Sequence, residues 1–313
     1  MKIAWVTPYN TSSAIGRFSR LVTTGLISAG HTVRIVRCEA LEVLNGSDGS
    51  ATDSVTRWDK VFHQPDFWRS FDATVYNIGD NYPFHAGVID LLYKFPGVVI
   101  FHDYFLLSLF RSWRALAGNQ VFADAILDDL YGAGSSTRFD AACARDDWYG
   151  SYTSEHFPMT EWIGRLAQGA IAHSTFYAER LGRSCVGPVL VTPLTYKAPF
   201  DVRPLVNQNN EPKVRVLTVG HVNRNKRVDS VIRAIGESDL LRSSCTYHVV
   251  GLIDQIERTR LVRLAKELSF NNLEIGGDVS DEVLQAEMEA ADIICCLRWP
   301  ALRCLRFPGR GNA

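Results

Sequence analysis

Short, continuously apolar segments alternate with longer segments of helical period along almost the whole chain. That alternation restricts the fold more than any single residue does. Lys2 to Thr7, Thr32 to Val36, Ala73 to Ile78, Val98 to Phe101, Ala170 to Ala172 and Val189 to Val191 are each short and mainly apolar, without strict alternation. Runs of this kind suit strands buried on both faces of a parallel sheet, because a half-exposed antiparallel strand alternates apolar with polar. Helical segments intervene. Arg17 to Ala29 reads as a helix ended by Gly30, following a polar loop from Pro8 to Gly16, and Ala86 to Phe95 and Tyr104 to Ala117 read as two more. A βαβα order implies a doubly wound α/β domain.

The same grammar restarts after residue 213. Val214 to Val219, Tyr247 to Val250, Leu273 to Ile275 and Ile293 to Leu297 read as strands. Val228, Val231, Ile232 and Ile235 share one helical face, as do Leu261, Leu264, Ala265 and Leu268, and Asp281 to Ala291 supplies a further helix. Residues 198–213 carry three prolines and an Asn/Gln cluster, which reads as a linker. A chain of 313 residues has room for two such domains, here 1–197 and 214–300. The second domain is expected to be incomplete. Residues 301–313 hold three arginines, no acid and no periodicity, so they read as an aberrant tail rather than further βα units.

Composition narrows the function classes. Lys plus Arg is 33 and Asp plus Glu 34, so the chain lacks the basic excess of a nucleic-acid partner, and an anionic ligand must be held by a local site. Seven cysteines at irregular spacing, with no CxxC, indicate neither a zinc site nor a disulfide framework. The N-terminus lacks the apolar core of a signal peptide, and runs such as Val98 to Phe101 are far too short to span a bilayer, so the expected location is the cytoplasm.

Three segments carry candidate chemistry. Gly16 lies just before the first helix, whose unpaired N–H groups and positive partial charge suit a phosphate, and its missing Cβ permits close approach, although an ordinary loop glycine would read the same. Gly220-His221-Val222-Asn223-Arg224-Asn225-Lys226-Arg227 joins a strand to a helix at the carboxyl end of the strand, the edge at which α/β sheets bind ligands. Its cations suit a diphosphate, although a solvated basic loop would read the same. Phe101-His102-Asp103-Tyr104 ends another strand; His102 there suits donating a hydrogen bond to a substrate hydroxyl or acting as an acid or base near neutral pH, although a structural histidine would read the same. His173-Ser174 is a weaker case of the same kind. No GxxxxGK[ST] and no GxGxxG follows any strand, which removes the main support for P-loop and dinucleotide-binding readings.

Taken in order, Lys2-Ile3-Ala4-Trp5-Val6-Thr7-Pro8 with the Gly16 loop, Val99 to Tyr104, Ile171 to Ser174, Val219 to Asp229, Gly276 to Glu282 and Ala291 to Ile294 resemble the GT4-type (group 1) retaining glycosyltransferases of the GT-B fold. The resemblance implies two Rossmann-like domains facing a cleft, the first on the acceptor side and the second binding the nucleotide sugar. It implies a nucleotide-diphosphate sugar as donor, a glycan or lipid-linked acceptor, no cofactor or bound metal, and peripheral association with the inner membrane face. By the same carry-over Gly16 approaches the donor phosphates and transferred sugar, and His102 with Asp103 sits at the reaction centre. Lys226, joined by Arg224 or His221, neutralises the leaving diphosphate. The family's EX7E glutamates are missing after Arg298-Trp299-Pro300, so the transferase is expected to be impaired in this form, and a non-catalytic binding or partner subunit of the same scaffold is the alternative expectation. An epimerase of the same fold is a lesser one.

Overall fold

A computed structural model describes residues 1–10, 13–46, 55–145, 151–195 and 213–297. The chain divides into two compact units, Met1–Lys197 and Ala198–Ala313. The expected linker, Lys213 apart, and the tail from Ala301 lie outside the described residues.

The first unit has, among the described residues, seven strands: β1 (Lys2–Thr7), β2 (Thr32–Arg37), β3 (Val55–Arg57), β4 (Ala73–Ile78), β5 (Val98–Phe101), β6 (Gly169–Ala172) and β7 (Val189–Val191). They pair in the order β3-β2-β1-β4-β5-β6-β7, and every pairing is parallel. The alternation of side chains across the sheet explains why both faces had to be apolar. Along β1, Ile3 and Trp5 join Phe18, Val33, Ile35 and Ile100 in one core cluster, while Ala4 and Val6 face the other with Val36, Val99 and Phe101. Burying a large aliphatic or aromatic side chain contributes about 1.5–3 kcal/mol, so a strand apolar on both faces is held from both sides.

The second unit has, among the described residues, four strands: β8 (Val214–Val219), β9 (Cys245–Val250), β10 (Leu273–Ile275) and β11 (Ile293–Ile294). Their order is β10-β9-β8-β11, again all parallel. The helices Val228–Gly236 and Gln255–Glu267 place Val228, Val231, Ile232, Ile235, Leu261, Leu264 and Ala265 in one core with Tyr247 and Val249, the two faces expected from their spacing. Both units are thus α/β with parallel sheets, as expected. In each, strand order reverses beside the first strand: between β1 and β4, and between β8 and β11. Such reversals open a crevice at the carboxyl ends of the strands.

Several boundaries differ from expectation. The first helix runs Ala14–Ser28, so Gly16 lies inside its first turn and not in the preceding loop. Ser13 causes the earlier start, because its side chain caps the helix by accepting from the Gly16 N–H. The helix expected from Ala86 starts at Tyr82, with Pro83 in its first turn, where a missing N–H costs nothing. The segment expected as one helix from Tyr104 to Ala117 is helical only over Leu107–Arg114. It opens a run of helices, five among the described residues, that ends with Thr160–Gly164, before β6. Edge-to-face rings hold that run together, with Phe110 against Phe139 and Trp162 at 5.7 and 5.1 Å between centroids. β11 is shorter than the expected Ile293 to Leu297, although Cys295 N still donates to Leu217 O at 2.8 Å. Among the described residues no helix is long and apolar enough to cross a membrane.

Candidate functional site

The carboxyl edge of the first sheet gathers polar side chains around the β1/β4 crevice. The loop after β1 is held from beneath by Glu39, whose side chain is fully buried. One carboxylate oxygen, Oε1, accepts from the backbone N–H of Tyr9 and of Asn10 at 3.0 and 3.1 Å, and from the Arg37 guanidinium at 2.9 Å. Arg20 closes the loop from above, donating to Tyr9 O at 3.2 Å with its guanidinium 4.6 Å over the Tyr9 ring. Gly16 is needed here for the protein's own backbone. A Cβ on it would stand 2.9 Å from Pro8 O and 3.0 Å from Asn10 O. Its N–H is engaged by Ser13, so Gly16 shapes the loop instead of offering a bare donor.

His102 and Asp103 follow β5, next to that crevice. His102 packs edge-on to Phe18 at 4.7 Å and lies 5.0 Å from the His173 ring. Burial, and then the neighbouring His173 and His85, push its pKa down to about 3, so the ring is neutral at neutral pH. Of the two expected roles, a neutral ring favours hydrogen bonding over acid or base work near neutrality. Its tautomer follows from Asn77, a fully buried residue of β4. The Asn77 amide nitrogen donates to Val6 O at 3.2 Å, and a carbonyl can only accept, so Asn77 Oδ1 is the atom facing His102 Nε2 at 3.1 Å. Nε2 therefore carries the proton and donates to Asn77, leaving Nδ1 as a lone-pair acceptor. The atom left to accept from a ligand hydroxyl is thus Nδ1, where the sequence suggested a donor. His173 is locked in the same manner: its Nδ1–H donates to Thr192 O at 3.0 Å, and its buried Nε2 has no partner among the described residues.

Asp103 is a clamp between strand ends. Its Oδ2 accepts from the Asp80 N–H at 2.8 Å, and Asp80 Oδ1 in turn accepts from Leu109 N at 2.9 Å. Gly79 makes this closure possible, since a Cβ there would meet Ile15 Cδ1 at 2.8 Å and Asp103 Oδ2 at 2.9 Å. Burial, with the charge of Asp103 adding to it, raises the Asp80 pKa to about 7. A carboxyl group titrating near neutrality at a ligand-binding edge is a functional candidate. Sequence reading passed over Asp80, and over Asn77. The available signals were a Gly-Asp pair directly after β4 and an asparagine inside an otherwise apolar strand.

The second unit presents its own edge. Gly220 ends β8 with φ +113°, and Gly251 ends β9 with φ +139°. A Cβ on Gly251 would stand 2.3 Å from Gly220 O, so these strand ends meet this closely only because residue 251 is a glycine. Lys226 lies over this floor: its ammonium donates to Val219 O at 3.3 Å and would stand 3.1 Å from a Cβ on Gly220. Arg224 and Lys226 belong to one 3₁₀ turn, and Arg227 follows with φ 50° at the N-cap of the helix Val228–Gly236 without a side-chain cap. His221 and Arg224 are exposed, whereas Lys226 and Arg227 are half-buried. Asp229 tempers the positive charge, with Arg260 as its partner at 3.4 Å. Four basic side chains thus flank a helix N-terminus, a geometry suited to a diphosphate. Of the expected site residues, Gly16, His102 and Asp103 gather at the edge of the first sheet, and His221, Arg224 and Lys226 on one loop of the second. Among the described residues no group of three His, Cys, Asp or Glu could hold a metal ion.

Residues 203–299 match the family described as glycosyl transferases group 1, so the resemblance expected from the sequence holds over that segment. No curated protein matches the chain. Among solved structures the chain is similar to WaaG, a glycosyltransferase involved in lipopolysaccharide biosynthesis, with 14% identity and a TM-score of 0.53 over 94% of this chain and 74% of that one. It is similar to a putative UDP-N-acetylglucosamine 2-epimerase from Listeria monocytogenes, with 10% identity and a TM-score of 0.51 over 94% and 73%. An alpha-glucosyltransferase in complex with UDP and a 13-mer DNA containing a HMU base gives 13% identity and a TM-score of 0.50 over 94% and 71%. At these identities the likeness establishes the fold, the expected GT-B fold.

Proposed function

We propose that the chain transfers a sugar from a nucleotide-diphosphate sugar to a glycan or lipid-linked acceptor, with retention of configuration and without a bound metal or other cofactor. The observation that carries this reading is the β8 loop: Lys226 over the Gly220–Gly251 floor, beside a helix N-terminus, inside the segment that matches group 1 glycosyl transferases. Loss of a nucleoside diphosphate leaves negative charge on the β-phosphate oxygen. A fixed ammonium with Arg224, or His221 when protonated, stabilises that charge as it develops, so a metal ion is not needed for it. In the first unit, the loop shaped by Gly16 and Glu39 lies at the carboxyl edge of the sheet, the edge at which α/β sheets take ligands. His102 Nδ1 accepts from a hydroxyl, and Asp103 fixes the strand ends around it. The fold is shared with a protein named for a UDP-sugar and with one solved with UDP, which supports a nucleotide-sugar ligand.

The test is release of nucleoside diphosphate from UDP-, GDP- and ADP-sugars, with and without glycan and lipid-linked acceptors and with a metal chelator present. Transfer that survives chelation and yields product of unchanged anomeric configuration by proton NMR supports the proposal. An absence of transfer from every donor, or conversion of UDP-N-acetylglucosamine to its 2-epimer without an acceptor, refutes it.

A further inference from the structure

A second concave feature lies inside the first unit. It is a groove of ≈ 460 Å³ along the helix Thr175–Ser184, walled on the other side by Glu161 and Arg165 of Thr160–Gly164 and its C-cap and by Leu130 of Gln120–Tyr131. Its lining includes Tyr104, the residue directly after His102-Asp103, and Ser184 at the end of the helix. From Phe176 to Ser184 the helix rises about 12 Å, enough for more than one sugar ring laid end to end.

The lining is aromatic at the end near His102 and polar beyond it. Phe176, 45% exposed, meets Tyr104 edge-to-face at 4.9 Å, and part of its ring is open to solvent. The polar groups are fixed before any ligand arrives. Glu161 is held by Arg180 on one oxygen and by the Tyr131 hydroxyl at 3.0 Å on the other. Arg180 also donates to the Tyr104 hydroxyl and to Glu155 O, each at 3.3 Å.

Charge decides the class of ligand. Every arginine along the groove has its own carboxylate: Arg180 with Glu161, Arg183 with Glu179, Arg165 with Asp129. A phosphate or an acidic sugar would have to displace these partners and would meet their negative charge. A neutral polyol gains donors and acceptors from the planar guanidinium and carboxylate groups while one face of its ring packs on Phe176. We propose that this groove binds the neutral glycan part of the acceptor and leads its reacting end past Tyr104 toward His102. This rests on the transferase reading above.

The experiment is a glycan array of neutral, sulfated and sialylated oligosaccharides probed with the full chain, followed by saturation-transfer NMR on the best ligand. Expected are hits among neutral glycans only, with affinity falling at least tenfold in Phe176→Ala while UDP binding is unchanged. Phe176 is exposed enough that its truncation leaves the core intact, and Arg180→Gln gives a second variant with the same expected loss. No neutral hits, hits confined to acidic glycans, or neutral binding that survives Phe176→Ala overturns the proposal. Nucleoside-diphosphate release without neutral-glycan binding fails the groove alone. Glycan binding lost in Phe176→Ala, without any nucleotide-sugar turnover, fails the transferase reading alone.

Discussion

Replacing Asn77 with leucine tests the tautomer assignment on which the chemistry of His102 depends. Asn77 is fully buried and its amide satisfies two groups, Val6 O at 3.2 Å and His102 Nε2 at 3.1 Å. Leucine fills a similar volume but satisfies neither. A buried donor or acceptor stripped of its partner costs about 1–3 kcal/mol, and Val6 O retains a second lone pair, so about 2–4 kcal/mol is expected in total. Urea denaturation followed by tryptophan fluorescence reads this in the first unit, because every tryptophan except Trp299 precedes residue 198. The spectroscopic arm is more specific. In the native protein, nitrogen-15 NMR of the His102 ring should show the proton on Nε2 and no titration above about pH 4, and in Asn77→Leu the two tautomers should mix. A native ring protonated on Nδ1, or a loss below about 0.5 kcal/mol in the variant, refutes the reasoning.

Three further substitutions probe the strand ends. Asp80 has a folded-state pKa raised from 3.8 to about 7, so its contribution is favourable below pH 4 and is lost as pH rises toward 7. Asp80→Asn keeps an acceptor for Leu109 N and should therefore stabilise the protein by about 1–3 kcal/mol at pH 8 with little effect at pH 4, measured by denaturation at both; equal effects at the two pH values contradict it. Glu39→Ala strands the half-screened Arg37 charge and two loop N–H groups, and should destabilise by about 3–5 kcal/mol, a loss below 1 kcal/mol counting against the clamp. Gly251→Ala forces a Cβ onto Gly220 O in a backbone region closed to alanine. It should lower the melting temperature and weaken UDP binding together, and a variant with native values of both would show that the two glycines are not a shared floor.

Much of the fold was legible because a strand buried on both faces must be apolar throughout. β1, β4, β5 and β8 have the bounds that their runs of residues imply. β3 was not legible, since Val55–Arg57 is three half-buried residues with no run to read. The helices between β5 and β6 were legible only at their start. Their packing comes from aromatic contacts between helices, Phe110 with Phe139 and Trp162, and such contacts leave no period along any one helix. Gly16 was displaced by one structural level because Ser13 ends a polar stretch that reads as loop, although its side chain starts the helix. His102, Asp103 and Lys226 stood out as polar residues at strand ends. Asn77 and Glu39 did not, because what they do depends on partners distant in sequence: Asn77 on His102 and Val6, Glu39 on the loop after β1.

The central claim is that the β8 loop holds the diphosphate of a nucleotide sugar, and calorimetric titration of UDP into the native chain and into Lys226→Ala tests it most directly. A charge-assisted hydrogen bond of about 1.5–3 kcal/mol corresponds to an affinity ratio of about ten to a hundred, so the native protein should bind UDP and the variant should bind at least tenfold more weakly. Equal affinity in the two, or no binding to the native chain, contradicts the account.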